Sequence, residues 1–372
     1  MSTDTATLRE LARVFLRLGA TSFGGPAAHI AMMNAELVER RQWLSREAFV
    51  DLLGATNLIP GPNSTEMALH VGRLRGGRPG LVVAGLAFIA PAALLAWGCA
   101  WAYVRFGARP AAVGILYGAK PVVLVIVLQA LLQLGRTALR PAGAWAACLL
   151  ALSLQVAGVH ELVVLLAAGV VVSAARKASL VRANGMPLVL PFLGLALPLG
   201  PAALFLVFLK IGAVLYGSGY VLLAFLRADL VDRYHWLTEA QLLDAVAVGQ
   251  ITPGPLFTTA TFIGYVLAGT RGAAAATVGI FVPAFLFVAL SGPFVTYARR
   301  SPGARAFLDG VNAASLALMA VVTFALARHA VSDAVTGALA AATLLLLVQG
   351  RIPSYWLVPG GALLGIAAKA LG

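Results

Sequence analysis

Two short stretches carry residue types that hold a small anion inside an otherwise apolar chain. The first is Pro60, Gly61 and Pro62, followed by Asn63, Ser64, Thr65 and Glu66. The second is Pro253, Gly254 and Pro255, followed by Thr258 and Thr259. Proline removes a backbone donor and clashes with the preceding turn, so neither triplet fits a continuous helix. Gly61 and Gly254 allow the backbone angles that such a break needs. A helix restarting after the break presents free first-turn N–H groups and the positive end of its dipole, and both favour an anion. Asn, Ser and Thr there are ordinary helix caps, and inside a membrane the same side chains also supply donors to an oxyanion.

Three cations are candidates to complete the site. Arg17 and Lys210 each lie several residues inside an apolar run, and Lys120 lies within 111–134. Intramembrane cations are costly and usually face a pathway. The alternatives are a snorkelling charge for Arg17 and Lys210, and for Lys120 a structural pair with Glu66 or Asp51. Glu66, His70, Asp51 and Asp244 are ionisable groups near the breaks. A carboxylate beside a dianion is unfavourable, so Glu66 is expected to pair with a cation or carry a coupled proton. Gly24, Gly25, Gly217 and Gly219 read either as packing contacts or as anion-lining backbone, and Gly24, Gly25 and Pro26 together suggest a bend or a close helix contact. No metal-ligand spacing and no disulfide framework is visible, and Cys99 and Cys148 read as small buried hydrophobes.

The elements that must position these residues are membrane helices. Hydrophobic residues make up 60% of the 372 positions and charged ones 11%, with mean hydropathy +0.91. A soluble domain carries about 25% charged residues. The apolar runs are continuous rather than alternating, which argues for helices and against a β-barrel. The net charge of +13 is spread through short loops, as the positive-inside bias requires, and nucleic-acid binding is not indicated. The polar N-terminus is not a cleavable signal peptide.

Apolar segments fall near 11–33, 81–102, 111–134, 142–157 and 162–175, then near 202–226, 272–297, 307–327, 331–348 and 353–370. Broken units lie at 47–71 and 239–267. The second set repeats the first residue by residue. Phe15, Arg17 and Gly19 match Phe208, Lys210 and Gly212; Leu37 and Arg40 match Leu230 and Arg233; Trp43 matches Trp236, and the two Pro-Gly-Pro triplets align, all at an offset of 193. After one deletion Pro91, Gly118 and Arg136 match Pro283, Gly310 and Arg328. The expected fold is therefore all-α and polytopic, two homologous halves at 1–184 and 185–372. If the broken units are re-entrant hairpins, each half has five spans and the halves form an inverted repeat of about ten transmembrane helices. If they cross, the repeats are parallel. The short pieces favour hairpins.

These residues resemble the chromate ion transporter family in its long two-domain form. The resemblance rests on the run from Phe15 to Pro26, on Glu36, Glu39, Arg40, Trp43 and Leu44, and on the run from Asn57 to Glu66. In the second half it rests on Phe208 to Gly212, Tyr216 to Tyr220 and Gly249 to Pro255. It covers nearly the whole chain. It implies a multi-pass protein of the bacterial inner membrane that exports chromate, an oxyanion close to sulfate in shape and charge. The residues point to a secondary transporter, without cofactor, whose midplane site lies between the repeats. A passive sulfate or anion channel, a lipid-phosphate flippase and a membrane enzyme are the competing readings. No nucleophile or metal cluster supports the enzyme. The expected partners are an inorganic oxyanion and the lipid bilayer, with assembly as a homodimer left open.

Overall fold

The computed structural model describes residues 5–176, 198–216, 219–350 and 352–371, and within these the regular structure is helical. The expected junction between halves, near 184, lies outside them. Helix α1 (Thr5–Thr21) is followed by α2 (Gly25–Asn34), which runs into a π-helical turn over Ala35–Arg40. Helix α3 (Arg46–Thr56) ends at the first Pro-Gly-Pro, and α4 (Asn63–Phe106) starts from it. Helices α5 (Pro110–Ala138), α6 (Ala144–Val156) and α7 (Glu161–Ala175) complete the first half. The second half follows the same order: α8 (Pro201–Val214), α9 (Leu222–Leu226) with a π-helical turn over Arg227–Arg233, α10 (Glu239–Ile251), α11 (Thr259–Arg300), α12 (Pro302–Ala330), α13 (Ala334–Gln349) and α14 (Ser354–Leu371).

The duplication extends to backbone peculiarities. Both π-helical turns fall at matched places, and among the described residues the two non-glycine residues at positive φ are Gln42 and His235, again 193 apart. Helices α4 and α11 each fold back on themselves at a glycine in an unusual conformation, Gly77 (φ 60°, ψ −149°) and Gly269 (φ 62°, ψ −154°). A Cβ on Gly72 would lie 2.4 Å from the Gly80 carbonyl oxygen, and one on Gly264 would lie 2.3 Å from that of Gly272. Eight residues along a continuous helix would separate such atoms by about 12 Å. The two arms of each helix are thus antiparallel and in backbone contact.

The stretch 11–33 differs from the single apolar segment expected of it. Arg41 reaches Glu10 at 2.7 Å, so α1 and α2 go in and return. The reversal sits at Gly24 (φ 99°) and Gly25 (φ 79°), conformations that glycine adopts without a Cβ penalty. Arg75, at the end of α4's first arm, lies over the Trp43 ring at 4.6 Å and 3.9 Å from Glu10. The stretch from α3 through that arm therefore also returns to its starting point, with Pro-Gly-Pro at its far end. Glu36 belongs to this polar cluster. Burial opposes its charge, but hydrogen bonds from Arg41 and Arg40 prevail and hold its carboxyl below the usual carboxylate range.

The second arm of α4 (78–106) leaves from this cluster and ends against the other half. Tyr103 donates a hydrogen bond to Asp244 at 2.9 Å, and its ring packs on Phe262 at 5.3 Å. The halves also exchange their last helices. A Cβ on Gly118 of α5 would meet the Gly361 carbonyl of α14 at 2.0 Å, and one on Gly310 of α12 would meet the Ala168 carbonyl of α7 at 2.3 Å. Four described helical stretches are long and apolar enough to cross a membrane, and exposed Leu, Val and Trp side chains cover their outer faces. Cys99 is on that exposed surface, not buried as expected, whereas Cys148 is buried.

Close backbone approach makes Gly72 intolerant of even one methyl group. Gly72→Ala should cost well over about 1 kcal/mol and lower the melting temperature in detergent, because overpacking against a backbone carbonyl forces the arms apart. Gly98→Ala, where nothing lies within 4 Å of the new methyl group, should be neutral or stabilising by up to about 1 kcal/mol. Equal melting temperatures for the two variants would contradict the folded-back arms.

Candidate functional site

Both Pro-Gly-Pro tips are buried in the protein, and each is bonded to the opposite half. The Gly61 amide donates to the Leu215 carbonyl at 2.8 Å, and the Gly254 amide donates to the Ser22 carbonyl at 2.8 Å. Ser22 and Leu215 are themselves 193 apart, so the two bonds are one contact made twice, as a pseudo-two-fold axis requires. These two amides are therefore occupied and are not the free donors expected from the breaks.

A small, partly open polar cavity, with room for about one water molecule in this conformation, lies where the first-half tip at 22–25 meets the second Pro-Gly-Pro, so an anion enters it only as the halves part. Ser22, His29, Tyr220, Gln250, Thr252 and Gly254 shape it, with Gly24 and Gly25 in its wall. The Ser22 hydroxyl is buried and has no hydrogen-bond partner among the described residues. The Gln250 amide lies in the same wall, and its Nε2 has no hydrogen-bond partner among the described residues. Donors without acceptors in a buried pocket are groups an anion satisfies.

His29 sits at the centre of this arrangement. Its Nε2 is 3.1 Å from the Ser22 carbonyl oxygen and its Nδ1 is 3.2 Å from the Ser64 hydroxyl. A carbonyl only accepts, so the proton is on Nε2 and Nδ1 accepts from Ser64. A chain of hydrogen bonds thus runs from Gly254 through Ser22 and His29 to Ser64, joining one break to the helix that restarts after the other. No motif marked His29. The only signal was its place three residues after the Gly24-Gly25-Pro26 reversal.

The remaining candidates are distributed as follows. Gly219 packs 3.7 Å from Pro26 and Leu256 beside the pocket, whereas Gly217 lies outside the described residues. Pro60, Pro62, Pro253 and Pro255 form the buried tips. Asn63 is turned to Asn57 at 2.8 Å. Thr258 and Thr259 donate back to the Pro255 and Leu256 carbonyls at 2.8 Å, so their hydroxyl hydrogens are taken up within their own turn. Thr65 is buried with no partner for its hydroxyl among the described residues. Glu66 is fully buried, neither carboxyl oxygen has a hydrogen-bond partner among those residues, and it packs on Gly61 in place of a side chain there. His70 is buried one turn farther along, and Asp51 is on the exposed face of α3.

None of the three candidate cations lines the pocket. Arg17 is exposed on the outward face of α1, beside Leu16. Lys210 is buried and held by Asp229 at 2.5 Å and Glu161 at 3.7 Å. Lys120 pairs with Asp244 at 2.9 Å, not with Glu66 or Asp51. The physical reason is that a buried cation needs a counter-charge at all times, and in Lys210 and Lys120 fixed carboxylates supply it.

The sequence model of the chromate transporter family matches residues 9–173 and again 202–366. A chromate transport protein of Cupriavidus metallidurans is 34% identical, over 99% of this chain and 94% of its own. A probable chromate transport protein of Synechococcus elongatus is 31% identical, over 88% of this chain and 86% of its own. A chromate transport protein of Pseudomonas aeruginosa is 32% identical, over 84% of this chain and 80% of its own. No solved structure matches the chain.

The ion pairs separate structural from free cations by stability. Lys210→Met takes the buried cation from Asp229 and Glu161, leaving them the more exposed Arg233, and should cost up to roughly 3–5 kcal/mol, seen as loss of folded protein or a large fall in melting temperature. Arg17→Met should leave the melting temperature unchanged within about 0.5 kcal/mol. The reverse order would contradict the pairing.

Proposed function

The chain belongs to the chromate transporter family, and on that footing we propose that it exports chromate from the bacterial cytoplasm across the inner membrane, through the polar pocket between its two halves. The observation that carries this reading is the pair of reciprocal tip contacts, Gly61 to Leu215 and Gly254 to Ser22, with unsatisfied donors beside one of them. They support a site at the junction of two moving bodies, where alternating access is possible by rocking one half on the other.

The halves are inverted in the membrane. The polar cluster of Glu10, Arg41, Trp43 and Arg75 lies at the start of α4's second arm, while Asp244 and Phe262 of the second half lie at its far end. That arm is roughly 42 Å long at 1.5 Å per residue, more than a hydrocarbon core. The folded-back units at 22–25, 60–62 and 253–255 are re-entrant, and their tips meet at the midplane. The segments that end at the first cluster carry Arg9, Arg40, Arg41, Arg46, Arg73, Arg75 and Arg78, whereas the other face carries Arg105 and Arg109 at the far end of that arm, with Arg227 and Arg233 paired with Asp232, Glu239, Asp229 and Glu161. The positive-inside bias then puts the N-terminal cluster in the cytoplasm.

The substrate is bound by neutral donors: the Ser22 hydroxyl, the Gln250 amide and first-turn backbone N–H groups after Pro255. Sulfate fits the same donors. Buried ionisable side chains at the tips, Glu66 among them, are the groups able to couple transport to protons.

Radiolabelled chromate flux in proteoliposomes, with an imposed proton gradient, tests this. Ser22→Ala combined with Gln250→Leu should lower flux about tenfold or more while the protein stays monodisperse, since two donor bonds of about 1 kcal/mol or more each are lost. Flux equal to wild type in that variant would place the substrate elsewhere. Flux that never saturates and ignores the proton gradient would favour a passive channel.

A further inference from the structure

The two tip contacts are related by symmetry but not by chemistry. Around Gly254 stand Ser22, His29 and Thr252; at the matched positions around Gly61 stand Leu215, Leu222 and Ile59. One seat is polar and the other is apolar, with Glu66 packed into it. The polar seat contains no lysine or arginine, so a dianion entering it meets neutral donors only.

Among the seat's side chains His29 alone carries a basic group. It is buried and bonded as a neutral ring. From α1 it faces the Ser22 carbonyl, from α4's first arm the Ser64 hydroxyl, and from α4's second arm the edge of Phe88 at 6.0 Å. Across the pocket stand Gln250 and the Tyr220 phenol. Its hydrogen-bond partners among the described residues are neutral, the Ser22 carbonyl and the Ser64 hydroxyl. Its charge state is therefore open to whatever occupies the seat.

We propose that His29 takes up a proton as the anion enters the seat, and so serves as the substrate's counter-ion only while the substrate is there. This rests on the reading of the pocket as the anion site. The proton comes from water through the open side of the pocket and lands on Nδ1. The Ser64 hydroxyl turns from donor to acceptor without moving its oxygen, and Nε2 keeps its bond to the Ser22 carbonyl. A negative charge in a low-dielectric seat favours the protonated ring, and the proton leaves when the anion does. A permanent cation would bind the anion without needing this exchange and would release it less readily. Glu66 does not do this work, because it packs on Gly61 at the other tip and is not in the wall of the pocket.

The test is isothermal titration calorimetry of the purified full chain in buffers of different ionisation enthalpy, which counts protons bound with the ligand. The probes are sulfate, and chromate at a pH where it is fully deprotonated. Wild type should take up protons, approaching about one per anion as pH falls, with affinity rising in parallel. His29→Gln, which keeps a donor for the Ser22 carbonyl but cannot be charged, should bind with almost no proton uptake and a flat pH profile. His29→Asn serves if the Gln variant does not fold. Glu66→Gln should keep the uptake. Undiminished uptake in the His29 variants, or its loss in Glu66→Gln alone, overturns the proposal. Unchanged anion affinity in the Ser22→Ala, Gln250→Leu protein would overturn the anion site itself, and the proposal with it.

Discussion

A backbone amide buried at bilayer depth has no water to bond to, and a proline-broken helix creates several such amides at once. In this chain the amides of Gly61 and Gly254 are satisfied only by carbonyls of the opposite half. Neither half can therefore complete its own break. The interlocking of α5 with α14 and of α12 with α7, through glycines in backbone contact, extends the same dependence away from the tips. Any motion of one half against the other must preserve these bonds or replace them. The junction is thus both the most constrained place in the fold and the one where a small displacement opens or closes a polar pocket.

Charge is organised around the same constraint. Lys210 and Lys120 hold fixed carboxylates, and each pair ties a helix of one half to a helix of the other: Glu161 to Lys210, and Lys120 to Asp244. Such pairs are costly to break and poor at releasing a mobile anion. Leaving the pocket to hydroxyl, amide and imidazole groups gives weaker binding. A conducting or transporting site needs affinity high enough to load and low enough to unload.

Much of this was legible in the residues. The duplication, the two breaks and the need for glycine at their centres follow from an offset of 193 and from the stereochemistry of proline, and they recur in the π-helical turns and in the matched Gln42 and His235. The return of 11–33 on itself was legible only as a bend at Gly24, Gly25 and Pro26, because hydropathy reports depth and not direction, and the pairing of Glu10 with Arg41 turns that bend into a full reversal. The roles of the cations failed for a related reason. Their partners lie far away in sequence, Asp244 from Lys120 and Glu161 from Lys210, so a local pattern shows a lone charge where the fold makes a pair. His29 was invisible because its function is set by what three separate elements bring to it.

The most direct measurement is the position of the substrate itself. A crystal grown with chromate, with diffraction recorded at the chromium absorption edge, would give one anomalous peak per site. The account predicts a peak bounded by Ser22, His29, Gln250 and Gly254, with no peak at the matched position beside Leu215 and Ile59. A peak at the Lys120–Asp244 pair or beside Arg17, with the polar seat empty, would contradict it.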